Sequence, residues 1–326
     1  MISRRIFIQG AAAAGAIGAA GAGHAQAWPG KPVRVINPFP AGGGTDVFLR
    51  PLAARMSQSL GQQFTVENLG GAGGTVGAAT ASKAAPDGYT LFCGAVHHTI
   101  AETLYTKLPY SIERDFVPIT VLAYVPNVVV VHPKYTEINT FADFLAYARK
   151  NPGRLNFGSA GNGTSHHLTV ELFKQMTGTF MTHIPYRGAG PMMSDLLAGS
   201  VDFAFDGMGT SAAQIRGGKL KALAVTSAKR VPAFPNLPTM AEVGIKGYQA
   251  TTWYALWAVK GTPPEVVARV QQEVAKALQE PAIKELWFNQ GADLGGNTPA
   301  EFGAFVHAEI EKWGKVVKAS GAKIDL

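Results

Sequence analysis

Val33-Arg34-Val35-Ile36-Asn37-Pro38-Phe39-Pro40-Ala41-Gly42-Gly43-Gly44-Thr45-Asp46 sets a short β-branched run against a proline break, a triple-glycine loop and a helix start. Valine and isoleucine favour a strand, and Asn37-Pro38 ends it. From Thr45 to Leu60 the apolar residues Phe48, Leu49, Leu52, Ala53, Met56 and Leu60 recur at helical spacing. Gly44 or Thr45 can cap that helix, and Asp46 in its first turn suits the helix dipole. A strand, a glycine loop and a helix in this order form one βα unit.

The same alternation continues outward. Strands are predicted at Phe64–Asn68 and Thr90–Cys93, with a helix at Ala79–Ala85 between them. Val117–His132 is an extended run broken by Pro118 and Pro126, too proline-rich for a helix and too long for an ordinary strand. It is predicted to cross between two lobes. A second set follows: helix Phe141–Lys150, strand Leu155–Gly158, helix Ser165–Thr177, strand His183–Tyr186, helix Pro191–Leu197, and strands Val201–Phe205 and Ala222–Thr226. Tyr248–Val259 is the predicted return crossing, before helices Pro264–Gln279 and Pro299–Ser320. Thr298-Pro299-Ala300-Glu301 has capping-box spacing. The fold class is therefore α/β with a largely parallel sheet, in two βα lobes joined by two crossing strands around a ligand cleft. Lobe 1 comprises 28–126 and 251–326, and lobe 2 comprises 127–250.

Residues 1–27 are set apart. Arg4-Arg5, an Ala/Gly-rich run and Ala25-Gln26-Ala27 describe a signal peptide of the twin-arginine type, cleaved near Ala27 for export to the periplasm. Cleavage removes two arginines, so the formal charge falls from +7 to +5. With only 16% charged residues and no basic stripe, nucleic acid is not an expected partner. The single cysteine, Cys93, allows no internal disulfide, and its apolar neighbours mark a buried structural thiol.

Ligands of open α/β sheets bind where strands end and helices begin. Two junctions qualify, one per lobe: Phe39 to Asp46, and Gly158-Ser159-Ala160-Gly161-Asn162-Gly163-Thr164-Ser165-His166. Gly42, Gly43 and Gly161 let backbone N–H groups approach a ligand beside a helix N-terminus. Thr45, Ser159, Thr164 and Ser165 add hydroxyls. This pattern suits an anion such as a carboxylate. An esterase elbow would need glycine where Phe157 stands, so a serine hydrolase built on Ser159 with His166 or His167 is a remote alternative. Gly71 to Gly77 misses the dinucleotide fingerprint at Val76, and neither His97-His98 nor His166-His167 has metal spacing. No cofactor, metal or catalytic residue is expected. Arg187 either pairs with an acid or faces the cleft, and Trp253 and Tyr254 pack structurally or, alternatively, stack on a ligand.

The chain resembles the Bug-type receptors of tripartite tricarboxylate transporters. The resemblance runs from Trp28-Pro29-Gly30-Lys31-Pro32-Val33 through the first glycine loop, Pro86-Asp87-Gly88-Tyr89-Thr90-Leu91 and Asp115-Phe116-Val117-Pro118-Ile119. It continues through Gly158-Ser159-Ala160-Gly161, Pro185-Tyr186-Arg187-Gly188 and Gly218-Lys219-Leu220-Lys221-Ala222-Leu223-Ala224 to Gly261-Thr262-Pro263. It implies a type II periplasmic-binding-protein fold and a monomeric extracytoplasmic receptor that passes a small organic carboxylate to small and large permease subunits. Signalling to a sensor kinase is the alternative output. By position, the resemblance implies that Phe39, Ala41, Thr45 and Asp46 form the first-lobe wall, Ser159, Thr164 and His166 the second, with Asp206 near the cleft. Val96-His97-His98-Thr99 and Gly207-Met208-Gly209-Thr210 correspond to variable loops, where His97 is an unusual choice and the ligand identity is set.

Overall fold

The computed structural model describes residues 28–320 and 323–324. The expected signal peptide, with Arg4-Arg5 and Ala25-Gln26-Ala27, lies outside the described residues. The first lobe opens with β1 (Val33–Asn37), α1 (Gly44–Leu60), β2 (Phe64–Asn68), α2 (Thr75–Ala81), β3 (Thr90–Ala95) and α3 (His97–Leu104). Then β4 (Phe116–Val131) runs into α4 (Phe141–Lys150), β5 (Asn156–Ser159), α5 (Ser165–Thr177), β6 (Thr182–Pro185), α6 (Ala189–Leu197), β7 (Phe203–Gly207), α7 (Met208–Arg216) and β8 (Lys221–Val225). The chain returns through β9 (Thr251–Val259), α8 (Pro264–Gln279), α9 (Pro281–Asn289), β10 (Asp293–Leu294) and α10 (Pro299–Ser320).

The strands form one path, β2-β1-β3-β9-β4-β7-β5-β6, with β8 and β10 also paired to β4. The expectation of a largely parallel sheet needs correction. Pairs β1–β2, β1–β3, β5–β6 and β5–β7 are parallel, but every pair involving β4 or β9 is antiparallel. These are the two crossing segments, and they run back through what would otherwise be two parallel sheets. β4 belongs to both halves: Phe116 to Pro126 pairs with β9, and Asn127 to Val131 pairs with β7. Pro126 stands at the change of partner, where the missing N–H costs least. Register shifts beside Pro118 and between Val121 and Ala123 let so long a strand bend.

One apolar core lies under α1, α6, α7 and α8 and draws on both halves, joining Phe48, Leu52 and Val270 to Met192, Leu196 and Val225. Two further cores centre on Phe92 and Trp257, where Leu168 of α5 joins from the other half, and on Phe144 and Phe203.

Two further expectations differ. The helix foreseen at Ala79–Ala85 starts earlier, at Thr75, because Gly74 with φ 93° turns the chain into it. The segments foreseen as loops at Val96–Thr99 and Gly207–Thr210 hold the first turns of α3 and α7. The two helices are eight and nine residues long, so each repeats its apolar pattern for little more than two turns.

Candidate ligand-binding cleft

The N-termini of α1, α3, α5 and α6 converge on one cavity. Its walls are Phe39, Gly43, Gly44, Thr45, Ala95 and His97 from one half, Ala160, Thr164, Ser165, His166 and Ala189 from the other, and Thr252 and Tyr254 from β9. Its accessible volume is about 30 Å³. A larger chamber of about 270 Å³ adjoins it, sharing the walls Phe39 and Ala160 and adding Gly71 to Gly74, Tyr105, Gly161, Asn162, Tyr186 and Arg187.

The helices that point into the cavity begin without side-chain caps. Elsewhere, α4 carries a capping box between Thr140 and Asp143, and α10 one between Thr298 and Glu301. A helix start leaves several amide N–H groups without intrahelical partners. Thr164 occupies the N-cap position of α5, yet its hydroxyl donates to Gly161 O at 2.7 Å rather than accepting from the helix. Thr45 Oγ1, buried at the start of α1, has no hydrogen-bond partner, and neither has His166 Nδ1. Helix starts without side-chain caps thus border the same space from both halves, with Thr45 and His166 in its wall.

No lysine or arginine lines the inner cavity, which contains two buried histidines. Burial pushes His97 well below its ordinary range, helped by the neighbouring His98 and His166. Burial also lowers His166, and only the Asp206 carboxylate opposes it. His166 Nδ1 lies 3.8 Å from Asp206 Oδ1. Asp206 is fully buried, and its other oxygen accepts from Thr210 Oγ1 and from Ser211 Oγ at 2.6 Å. Tyr254 stacks on Phe48 at 5.5 Å and turns its hydroxyl toward Gly44. A Cβ at Gly44 would sit 1.9 Å from that hydroxyl, so only glycine fits there.

Of the residues singled out by sequence, Phe39, Gly43, Thr45, His97, Thr164 and His166 come together on the inner wall, and Gly161 on the outer chamber. Others stand elsewhere. Ala41 and Gly42 are exposed on the outer side of the loop. Asp46 turns away: Asn37 Nδ2, Asn68 Nδ2, Gly42 N and Arg50 Nε all donate to its carboxylate, which staples the loop. Ser159 is fully buried, and its hydroxyl lies 2.6 Å from His183 Nε2, not against His166 or His167. His183 stacks on His167 at 4.0 Å, so Ser159 belongs to a packed cluster beneath the loop. Asp206 stands behind His166. Arg187 is exposed in the wall of the outer chamber and has no salt-bridge partner among the described residues, which is the cleft-facing alternative rather than the ion pair. Trp253 is core, donating to Glu309 Oε2 at 3.0 Å, but Tyr254 reaches the cavity. Tyr254 thus takes the ligand-side alternative, while Ala95, Ala189 and Thr252 were not foreseen at the site.

Among the described residues, no cluster of three metal-ligating side chains occurs, and no helix is long and apolar enough to cross a membrane. Residues 48–322 match the model of the tripartite tricarboxylate transporter family receptor. Protein BugT of Bordetella pertussis is 38% identical over 302 residues, covering 92% of each chain. A Rhodopseudomonas palustris structure with adipate superposes with a TM-score of 0.88 at 37% identity, covering 92% of this chain and all of that one. MatC of the same species, with bound malate, gives 0.84 at 32% identity, covering 89% of this chain and all of that one. The topology is the two-lobed binding-protein fold. This chain belongs to the tripartite tricarboxylate transporter receptor family, whose members are solute-binding receptors and not enzymes.

Proposed function

We propose that the protein captures a small organic carboxylate in the inner cavity and delivers it, outside the cytoplasmic membrane, to the small and large subunits of a tripartite permease. One observation carries the reading: uncapped helix starts from both halves face one cavity, with Thr45 Oγ1 unpartnered among them. A carboxylate supplies what those starts lack, acting as an external cap on α1 and α5 at once. The inner volume of about 30 Å³ has room for roughly two waters, or one carboxylate group. The rest of the ligand extends past Phe39 and Ala160 into the outer chamber. Relatives solved with adipate and malate support this ligand class.

In this reading the lobes are 28–126 with 251–326, and 127–250, and they hinge where β4 changes partner and where Ala250 gives way to β9. Residues 1–27 direct export and are removed. Thermal-shift screening of adipate, malate, citrate, benzoate and aspartate, followed by calorimetric titration, tests the ligand class. Saturable stabilisation by at least one acid is expected; no binding by any of them refutes it.

A further inference from the structure

We propose that ligand capture by this receptor carries a proton with it: the His166 imidazole, backed by the Asp206 carboxylate, becomes the cation that balances the buried ligand carboxylate. The inference rests on the carboxylate reading above. A carboxylate enclosed without a counter-charge is costly, and helix starts supply only partial positive charge. The inner wall offers no lysine or arginine, so a full positive charge there can come only from a histidine.

Two histidines line it, and their surroundings separate them. His97 Nε2 is engaged with His98 Nε2 at 3.1 Å, and a second cation there would face two further imidazoles. His166 Nδ1 has no hydrogen-bond partner and lies 3.8 Å from Asp206 Oδ1, which also has none. Both atoms are buried, so protonating His166 creates an ion pair out of two orphaned groups. Before the anion enters, burial holds His166 neutral. An adjacent anion favours the charged form. The groups facing His166 are few. Asp206 approaches from β7, His97 from α3 with His98 behind it, and the Tyr254 hydroxyl from β9. Asp46 of α1 is already saturated by its four donors, and the adjacent His167 turns away to stack on His183.

The test is calorimetric titration of the full mature chain with adipate and with malate in phosphate and in Tris, whose ionisation enthalpies differ. At about pH 7.5 and about pH 8.5 both acids are fully ionised, so proton uptake belongs to the protein. Uptake of close to one proton per ligand is expected, with Kd rising about tenfold per pH unit. His166→Gln should abolish the uptake and flatten the pH profile, Asp206→Asn should reduce the uptake, and His97→Gln, which alters the cavity wall, should weaken binding while keeping the proton taken up per ligand bound. Tight binding by the unaltered protein without proton uptake refutes this proposal alone. Uptake lost in His97→Gln but kept in His166→Gln refutes the assignment. If no carboxylate binds, the reading of the cleft falls and this inference with it.

Discussion

Thr45→Val separates a ligand-facing hydroxyl from a structural one by the sign of its two effects. Valine keeps the branched shape of threonine and similar helix propensity, so the substitution removes little but the hydroxyl. That hydroxyl is buried with no partner in the cavity wall. A buried unsatisfied polar group costs about 1–3 kcal/mol, so its removal should leave the ligand-free protein equally stable or raise its Tm by a few degrees. Binding should move the other way. A hydrogen bond to a charged group contributes about 1.5–3 kcal/mol, and each 1.4 kcal/mol is tenfold, so affinity should fall roughly ten- to a hundredfold. Thr298→Val is the contrast, because Thr298 caps α10 through Glu301. It should cost about 1 kcal/mol of stability and leave affinity alone. Circular dichroism melts without ligand and calorimetric titration with adipate read both effects. A Thr45→Val protein that melts several degrees lower yet binds normally would refute the reasoning.

Three other outcomes are expected. Gly44→Ala places a methyl where the Tyr254 hydroxyl stands, so overpacking should cost about 1–3 kcal/mol and titration should show binding lost; normal binding would mean the wall yields. Asp46→Asn tests the loop staple. Burial alone would raise the Asp46 pKa, but donors from Arg50, Gly42 and Asn68 hold it below the ordinary 3.8. Its contribution is therefore complete above that value and is lost as pH falls through the folded-state value, so urea melts of wild type and variant should differ most near neutrality and converge in acid. Export is tested by replacing Arg4 and Arg5 with lysines, which should leave the precursor in the cytoplasm on fractionation, whereas normal secretion would exclude the twin-arginine route.

The scaffold was legible where one periodicity ran long enough. Helices α1, α5, α8 and α10 repeat their apolar faces over several turns, and the sequence places their boundaries within a residue of those observed. β4 was legible for the opposite reason, as an apolar run whose prolines forbid a helix. Its consequence for the sheet was not. The change of partner at Pro126 is a long-range pairing with β7 and β9, which no local pattern encodes. Helices α3 and α7 went unseen because they are short: Ile100, Ala101 and Leu104 in one and Met208, Ala212 and Ile215 in the other give an apolar face little more than two turns long.

At the cleft, a glycine loop before a helix marks where backbone can approach a ligand but not which side chains arrive from elsewhere. Asp46 and Thr45 are neighbours at one helix start, yet one closes the loop upon itself and the other faces the cavity with its hydroxyl unpartnered. Residue type alone cannot divide them; the position of Asn37, Asn68 and Arg50 does, because these donors saturate Asp46. Nor does an uncapped helix mark a site unaided. Helices α2, α7, α8 and α9 also lack side-chain caps, although in α8 and α9 an opening proline removes one orphan donor. What distinguishes α1 and α5 is convergence: two uncapped starts share one cavity with Thr45 Oγ1 and His166 Nδ1, both still without partners. In the proposed function, an anion held between the two halves would satisfy both starts together, and the hydrogen bonds that hold the ligand would also hold the lobes together.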